Sequence, residues 1–537
     1  MRLFAKRSGL LALLILLSVP SYCLSQQPKS GRNVADVARA IDREIQKQLD
    51  AANIKASAQA DDAEFLRRVT LDITGTIPTT DLAAKFLRNT DADKREKLID
   101  QLLADSRYGV YHAGVWGDRI DATGTPPRSM ASRFREWLAG EFNRGNSWNK
   151  IVQDMLTDGN GPAGYFVWAN YKEPGELADT TSRFFLGVRI ACARCHNHPL
   201  ADWTQSDYWG MAAFYTRIKR VRLKGKGNIL TEDPIPGKKK RKPETKGATI
   251  TIPSAGTRNG AGKIIRARFL SGDIPELPDE GALRPTLANW IVAKRNPYFA
   301  KATVNRIWAH FFGKGLVRLA DGFDSGTEPS HPELLKLLAT EFTESGYDLK
   351  HLIRCICRSQ TYQRSSRPLP DNKKDETLYS HMPVRVLAPG VLFDSVVTAM
   401  GNPRLRGGLA SPLPYEIYSG KKRSTNVSTR QAFIEFFGEK DESVKATQYT
   451  YGIPQVLALM NAKQFNETSP LVEKMVKDKV SRDQAIDTLF LATLTRMPND
   501  NEHRLMTNYL EGRTNLEAGY SGVLWILLNT NEFTVNH

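Results

Sequence analysis

The chain has 537 residues and a formal net charge of +17, with 41% hydrophobic, 9% aromatic and 25% charged residues and five cysteines. That balance excludes a disordered, collagen-like or disulfide-dense chain, because there is enough apolar material to bury and too little cysteine to staple a small scaffold. One hydrophobic core rarely serves more than about 250 to 300 residues, so two or three domains are expected.

In chain order, the first segment reads as an export signal. Arg2, Lys6 and Arg7 precede an apolar run from Leu10 to Val19, and Ser21 and Ser25 follow. The run is about ten residues, against roughly 20 for a bilayer-crossing helix, so residues 1–25 are predicted to be a cleaved signal peptide and no membrane span is expected. Cys23 leaves with that segment. A lipoprotein signal would use Cys23, but Tyr22 stands where such signals require a small side chain. The expected location is secreted or periplasmic.

Residues 34–216 have helical periodicity, with apolar residues three or four apart, as in Phe65, Val69 and Ile73 or Leu98, Leu102 and Leu103. Asp72-Ile73-Thr74-Gly75-Thr76 resembles an aspartic-protease loop with one residue too many and no second copy, and helix termination explains it better. Residues 217–283 are basic and rich in Gly and Pro, and read as a linker whose β-prone pieces are Ala248 to Ile252 and Ile264 to Phe269. Lys238 to Lys242 lie here, and such a local run marks a solvated loop; nucleic acid is not an expected partner.

From residue 284 to 537 the helical pattern returns. Ser330 with Glu333, Ser481 with Gln484 and Asn499 with Glu502 read as capping boxes at helix starts, the first with Pro332 in its opening turn and Leu334, Leu338 and Phe342 along one face. No 20 to 50 residue repeat is present, which argues against a solenoid. The predicted fold class is mainly α: two helical domains joined by a basic linker with a small β element.

The sharpest chemical signal is Cys192-Ala193-Arg194-Cys195-His196, the C-x-x-C-H pattern of covalent c-type haem attachment. Two thiols one turn apart can add to the two haem vinyl groups, and the adjacent imidazole can then sit beneath the iron as an axial ligand. Phe184, Phe185, Trp203, Tyr208, Trp209, Phe214 and Tyr215 lie around it. They would either wall a macrocycle or form a helical core. His198 stands too close to His196 to reach the opposite face, so a sixth ligand would be Met211, His310 or His331, or be absent. Two other readings stay open. Zn or Fe would bind directly through Cys192, Cys195, His196 and His198, although closed zinc sites usually split their ligands into two separated pairs. Alternatively, Cys192 and Cys195 form a disulfide. Cys355 and Cys357 point away from each other on a helix and read as buried apolar filler.

No G-x-S-x-G, phosphate-binding glycine loop or H-E-x-x-H is present, and no paired catalytic acid and base can be named.

Phe65 to Val69, Leu71 to Gly75, Cys192 to Pro199 and Trp203 to Trp209 resemble the first domain of a secreted planctomycete family described as cytochrome-like and uncharacterised. Val304 to Trp308, Phe312 to Val317, Pro329 to Leu335 and Leu527 to Phe533 are similar to its usual companion domain. The resemblance implies a secreted protein of uncharacterised function. From the C-x-x-C-H pattern, the first expectation is that Cys192 and Cys195 attach haem c, with His196 as proximal ligand, for electron transfer with a redox partner protein. The other expectation is an envelope binding protein for polysaccharide or a protein partner, in which the Cys/His cluster holds a metal or a disulfide.

Overall fold

In the computed structural model, residues 32–120, 128–159, 161–199, 201–223, 227–232, 248–252, 262–278, 280–323, 328–403, 429–437, 459–461, 465 and 469–537 are described. The predicted export signal and the basic run at Lys238 to Lys242 lie outside them. The architecture is mainly α, as expected, with only short antiparallel strand pairs. Among the described residues no helix is long and apolar enough to cross a membrane.

The first block comprises α1 (Val34–Ala51), α2 (Asp62–Thr74), α3 (Thr80–Arg88), α4 (Lys94–Ala104), α5 (Ser106–Ile120), α6 (Arg128–Arg144), α7 (Trp148–Thr157), α8 (Tyr165–Asn170), α9 (Pro174–Thr181) and α10 (Gln205–Ala213). A π-helical turn at Ser182–Leu186 and a 3-10 turn at Ala191–Arg194 separate the last two. The second block comprises α11 (Arg284–Ile291), α12 (Phe299–Phe312), α13 (Pro332–Glu344), α14 (Leu349–Arg358), α15 (Pro389–Ala399), α16 (Thr429–Phe437), α17 (Pro470–Lys477), α18 (Arg482–Leu494), α19 (Asp500–Glu511), α20 (Leu516–Leu528) and α21 (Asn531–Thr534).

These blocks share their interior. Val37, Ile41, Ile45 and Leu49, four apart on α1, form one buried stripe that packs on α13 and α14. One core runs from these residues through Trp148, Phe166 and Trp308 to Met382; a second gathers Leu71 and Ile77 of the first block with residues from Leu387 to Phe533. Between the blocks, β1 (Lys219–Leu223) pairs with β2 (Gly227–Thr231), and β3 (Thr249–Thr251) with β4 (Ile264–Arg266). The second pair falls within the two expected β-prone pieces. The first was hidden by its alternating basic residues. Phe269 stacks between Phe214 at 5.4 Å and Trp290 at 4.8 Å, which ties the linker to both blocks.

Two expected capping boxes form, at Ser481/Gln484 and Asn499/Glu502, and a further one forms at Thr204/Asp207. The expected box at Ser330 does not. Both the amide and the hydroxyl of Ser330 donate to Leu316 O, at 2.8 and 3.2 Å, so Ser330 belongs to the preceding segment, and buried His331 takes the cap position ahead of Pro332.

Helix α2 ends within Asp72 to Thr76, as expected, and its cap is Gly75, whose left-handed φ of 69° lets its amide close on Leu71 O. A side chain there would also run into the Tyr111 ring. Gly75→Ala is therefore expected to cost about 2 kcal/mol or more, from left-handed strain plus displacement of Tyr111. Gly346→Ala, at a similar φ of 76° but with nothing within 4 Å, carries only the strain. Urea midpoints of the two variants measure the difference. Equal losses would show that Tyr111 yields freely.

Candidate functional site

The Cys/His segment lies on the surface at the start of α10. Its geometry follows from the 3-10 turn Ala191–Arg194, whose three residues per turn put every third side chain on one side. Ile190 and Ala193 face inward and are fully buried; Cys192 and Cys195 face outward and are exposed free thiols. The backbone is held from α10. The Trp209 indole N–H donates to Arg194 O at 3.1 Å, and the Gln205 amide donates to Cys195 O at 2.7 Å. The His198 amide donates to Trp203 O at 2.7 Å, and the Gln205 backbone N–H to Asn197 Oδ1 at 3.1 Å. Thr204 and Asp207 cap the helix that carries these anchors. At the other end of the turn, Asp179 Oδ1 accepts the Ile190 amide at 3.2 Å. Burial pushes the Asp179 carboxyl above the usual range, against the nearby Arg183.

His196 is exposed, and its Nδ1 lies 2.7 Å from Asn197 O. A carbonyl oxygen can only accept, so Nδ1 carries the proton and Nε2 the lone pair. Metal-bound imidazoles commonly have this arrangement, with the non-ligating nitrogen donating to a backbone carbonyl. His198 is only half-buried. Among the described residues no three His, Cys, Asp or Glu side chains are gathered to hold a metal ion. Two outward thiols beside an imidazole whose lone pair is on Nε2 are the donor types that covalent haem attachment requires.

The surroundings depart from a walled haem pocket. Phe184, Phe185, Tyr208, Trp209, Phe214 and Tyr215 are buried in the first core, packed on one another, with Phe184 and Phe185 centroids 5.1 Å apart. Of the seven aromatics, only Trp203 is partly exposed, and it packs against Tyr298 at 6.2 Å. The three residues considered as sixth ligands are committed elsewhere. Met211 is fully buried, His310 Nε2 donates to Asp72 O at 2.9 Å, and His331 is buried with Nδ1 3.0 Å from Ser330 Oγ.

Cys355 and Cys357 are fully buried thiols on α14, consistent with filler. Burial pushes the Cys355 thiol up to about 12 and Cys357 well above its ordinary value, so both are inert as nucleophiles at neutral pH.

A polar network missed in the sequence lies at the centre of the molecule. Every residue of α2 from Glu64 to Thr74 is buried. Arg67 donates to Thr493 O and Phe533 O at 2.9 and 2.8 Å, and Arg68 to Tyr362 O and Arg364 O at 2.8 and 2.9 Å. Asp72 Oδ1 accepts Arg385 Nη2 and Asn536 Nδ2, both at 2.8 Å, and its Oδ2 accepts the Tyr362 hydroxyl at 2.8 Å. Short strands β5 (Arg385–Val386) and β6 (Val535–Asn536) set Arg385 and Asn536 opposite each other, which aims both at the one oxygen. The charges of α2 thus serve as a tie between distant segments.

No curated protein and no solved structure matches the chain. Residues 40–220 match the family PSCyt2, described as Protein of unknown function (DUF1549), and residues 283–510 match PSD1, described as Protein of unknown function (DUF1553), so the two families stand in that order along this chain.

Proposed function

We propose that the turn Cys192–His196 is an attachment site for a c-type haem in an exported protein, and that the protein passes single electrons to and from a redox partner. The observation that carries this reading is the outward exposure of both the Cys192 and Cys195 thiols, with the next residue an imidazole whose Nδ1 proton is already committed to Asn197 O. Each thiol would add across one vinyl group, sulfur to one carbon and hydrogen to the other, with no oxidant and no leaving group. When bound, the haem supplies one-electron chemistry at iron. The protein's own part is to fix the two sulfurs on a backbone clamped by Gln205 and Trp209, and to present Nε2 as a ligand. Because the aromatic residues are packed into the core, the cofactor would be exposed, which suits exchange with a docking partner.

The test is expression with its export signal in a host that matures c-type cytochromes. The expected result is haem absorbance that survives denaturation, is absent from Cys192→Ala with Cys195→Ala, and changes in position in His196→Ala. No haem band would overturn the reading. Stoichiometric Zn or Fe lost in His198→Ala would put a direct metal site in its place, and a Cys192–Cys195 disulfide would make the turn a staple.

A further inference from the structure

We propose that a second site, a cleft between the start of α2, the segment around Arg367 and the turn from α18 to α19, binds a small zwitterion with apolar side chains, of the class of short apolar peptides. The site is separate from the Cys/His turn and does not depend on haem. Its volume is 610 Å³, within the roughly 300–1,000 Å³ typical of small-ligand pockets.

The charges in the cleft divide into spent and spare. Glu64 is spent on Arg68 at 2.5 Å. Glu532 is spent on Arg496, which also pairs with Glu502, each at 2.7 Å. Arg367 and Asp61 also line the cleft, and among the described residues neither side chain has an ion-pair partner. His537 lines the cleft too, its O accepting Arg68 Nε at 3.1 Å and its imidazole lowered by burial to about 4 and so neutral at pH 7. That leaves the Arg367 guanidinium and the Asp61 carboxylate in the same concavity, which matches a ligand carrying both a carboxylate and an ammonium group. The lining also has apolar members. Val384 is 56% and Met497 49% exposed, and Leu494 and Val535 line the same space.

The frame is fixed. Arg367 is held by its backbone, its amide donating to Ser365 Oγ at 3.2 Å and its carbonyl accepting the Ser57 hydroxyl at 2.9 Å. Asp61 is the N-cap of α2, with Oδ1 accepting the Glu64 amide at 2.8 Å. Arg496 Nη1 donates to Met497 O at 3.1 Å, which sets the apolar edge. The backbone is thus set in advance, and binding would have to order the Arg367 side chain.

The experiment is isothermal titration calorimetry on the full chain with Leu-Leu, N-acetyl-Leu-Leu and Leu-Leu amide as probes. Leu-Leu is expected to bind, with each capped form about tenfold weaker, since each cap removes one charge-assisted contact. Arg367→Gln should reproduce the loss caused by the amide cap and become insensitive to it. Asp61→Asn should do the same for the acetyl cap, and Asn serves as well as Asp at an N-cap, so α2 is not disturbed. No saturable heat at about 10 mM Leu-Leu, weaker than any useful affinity, would overturn the proposal. So would binding that neither cap nor either variant changes.

Discussion

Asp72→Ala is expected to lower the stability of the protein by about 3–5 kcal/mol, the usual cost of removing one partner from a buried ion pair and leaving the other charge unmatched. Asp72 is 3% exposed, and its carboxylate satisfies Arg385, Asn536 and Tyr362 together. Without it, Arg385 keeps only its bond to His310 O at 2.6 Å, and its positive charge stays in the core. Graded variants separate charge from hydrogen bonding. Tyr362→Phe removes one bond and should cost about 1 kcal/mol, while Asp72→Asn keeps an acceptor without the charge and should fall between the two. Equilibrium urea denaturation followed by tryptophan fluorescence gives the order. A loss for Asp72→Ala no larger than that for Tyr362→Phe would mean that Arg385 finds water, and that the network does not tie α2 to the β5–β6 pair.

The local features of this fold were legible, and the long-range ones were not. Apolar spacing located the buried faces of Phe65, Val69 and Ile73 and of Leu334, Leu338 and Phe342, all fully buried. Cap residues located two helix starts because such a cap is closed within four residues of chain. Ser330 misled because its partner, Leu316 O, lies outside the helix it was read with. Arg67, Arg68 and Asp72 look like one polar face of an amphipathic helix. Their partners are 290 to 466 residues away in sequence for the bonds Asp72–Tyr362 and Arg67–Phe533, and no local pattern marks such pairs. At the Cys/His turn, the sequence supplied the donor residues and the 3-10 turn supplied their outward direction. The aromatic neighbours were correctly placed in the chain but face the core, since helical spacing alone does not distinguish an interior from a pocket wall.

Acidification from pH 7.5 to 4.5 is expected to destabilise the protein through its buried imidazoles. His112 of α5 and His310 of α12 lie 5.2 Å apart between the two helical blocks, and His112 Nε2 is buried without a partner. Burial lowers His310 to about 4, with Arg385 and Arg119 adding to the effect and Asp72 opposing it. Burial also sets His112 well below its ordinary value, helped by His310 and Arg119. His331 is likewise lowered to about 4 by burial, against Asp375. In the unfolded chain these groups take up protons near 6.5. The unfolded state therefore binds more protons, and the stabilisation is complete above about pH 6.5. It is lost as pH falls through the interval down to about 4, where the folded state also protonates. For His310 alone the interval of 6.5 to about 4 corresponds to roughly 3 kcal/mol at about 1.4 kcal/mol per unit. The part of the window above about pH 5.5 lies clear of ordinary carboxylate titration, so the slope there belongs to histidine. Urea midpoints at half-unit pH steps should fall steadily below pH 6.5, and His310→Gln, which cannot take a charge, should flatten the curve while starting from lower stability. A wild-type curve level from 7.5 to 4.5 would show that the imidazoles reach solvent, and that the contact between α5 and α12 opens without global unfolding.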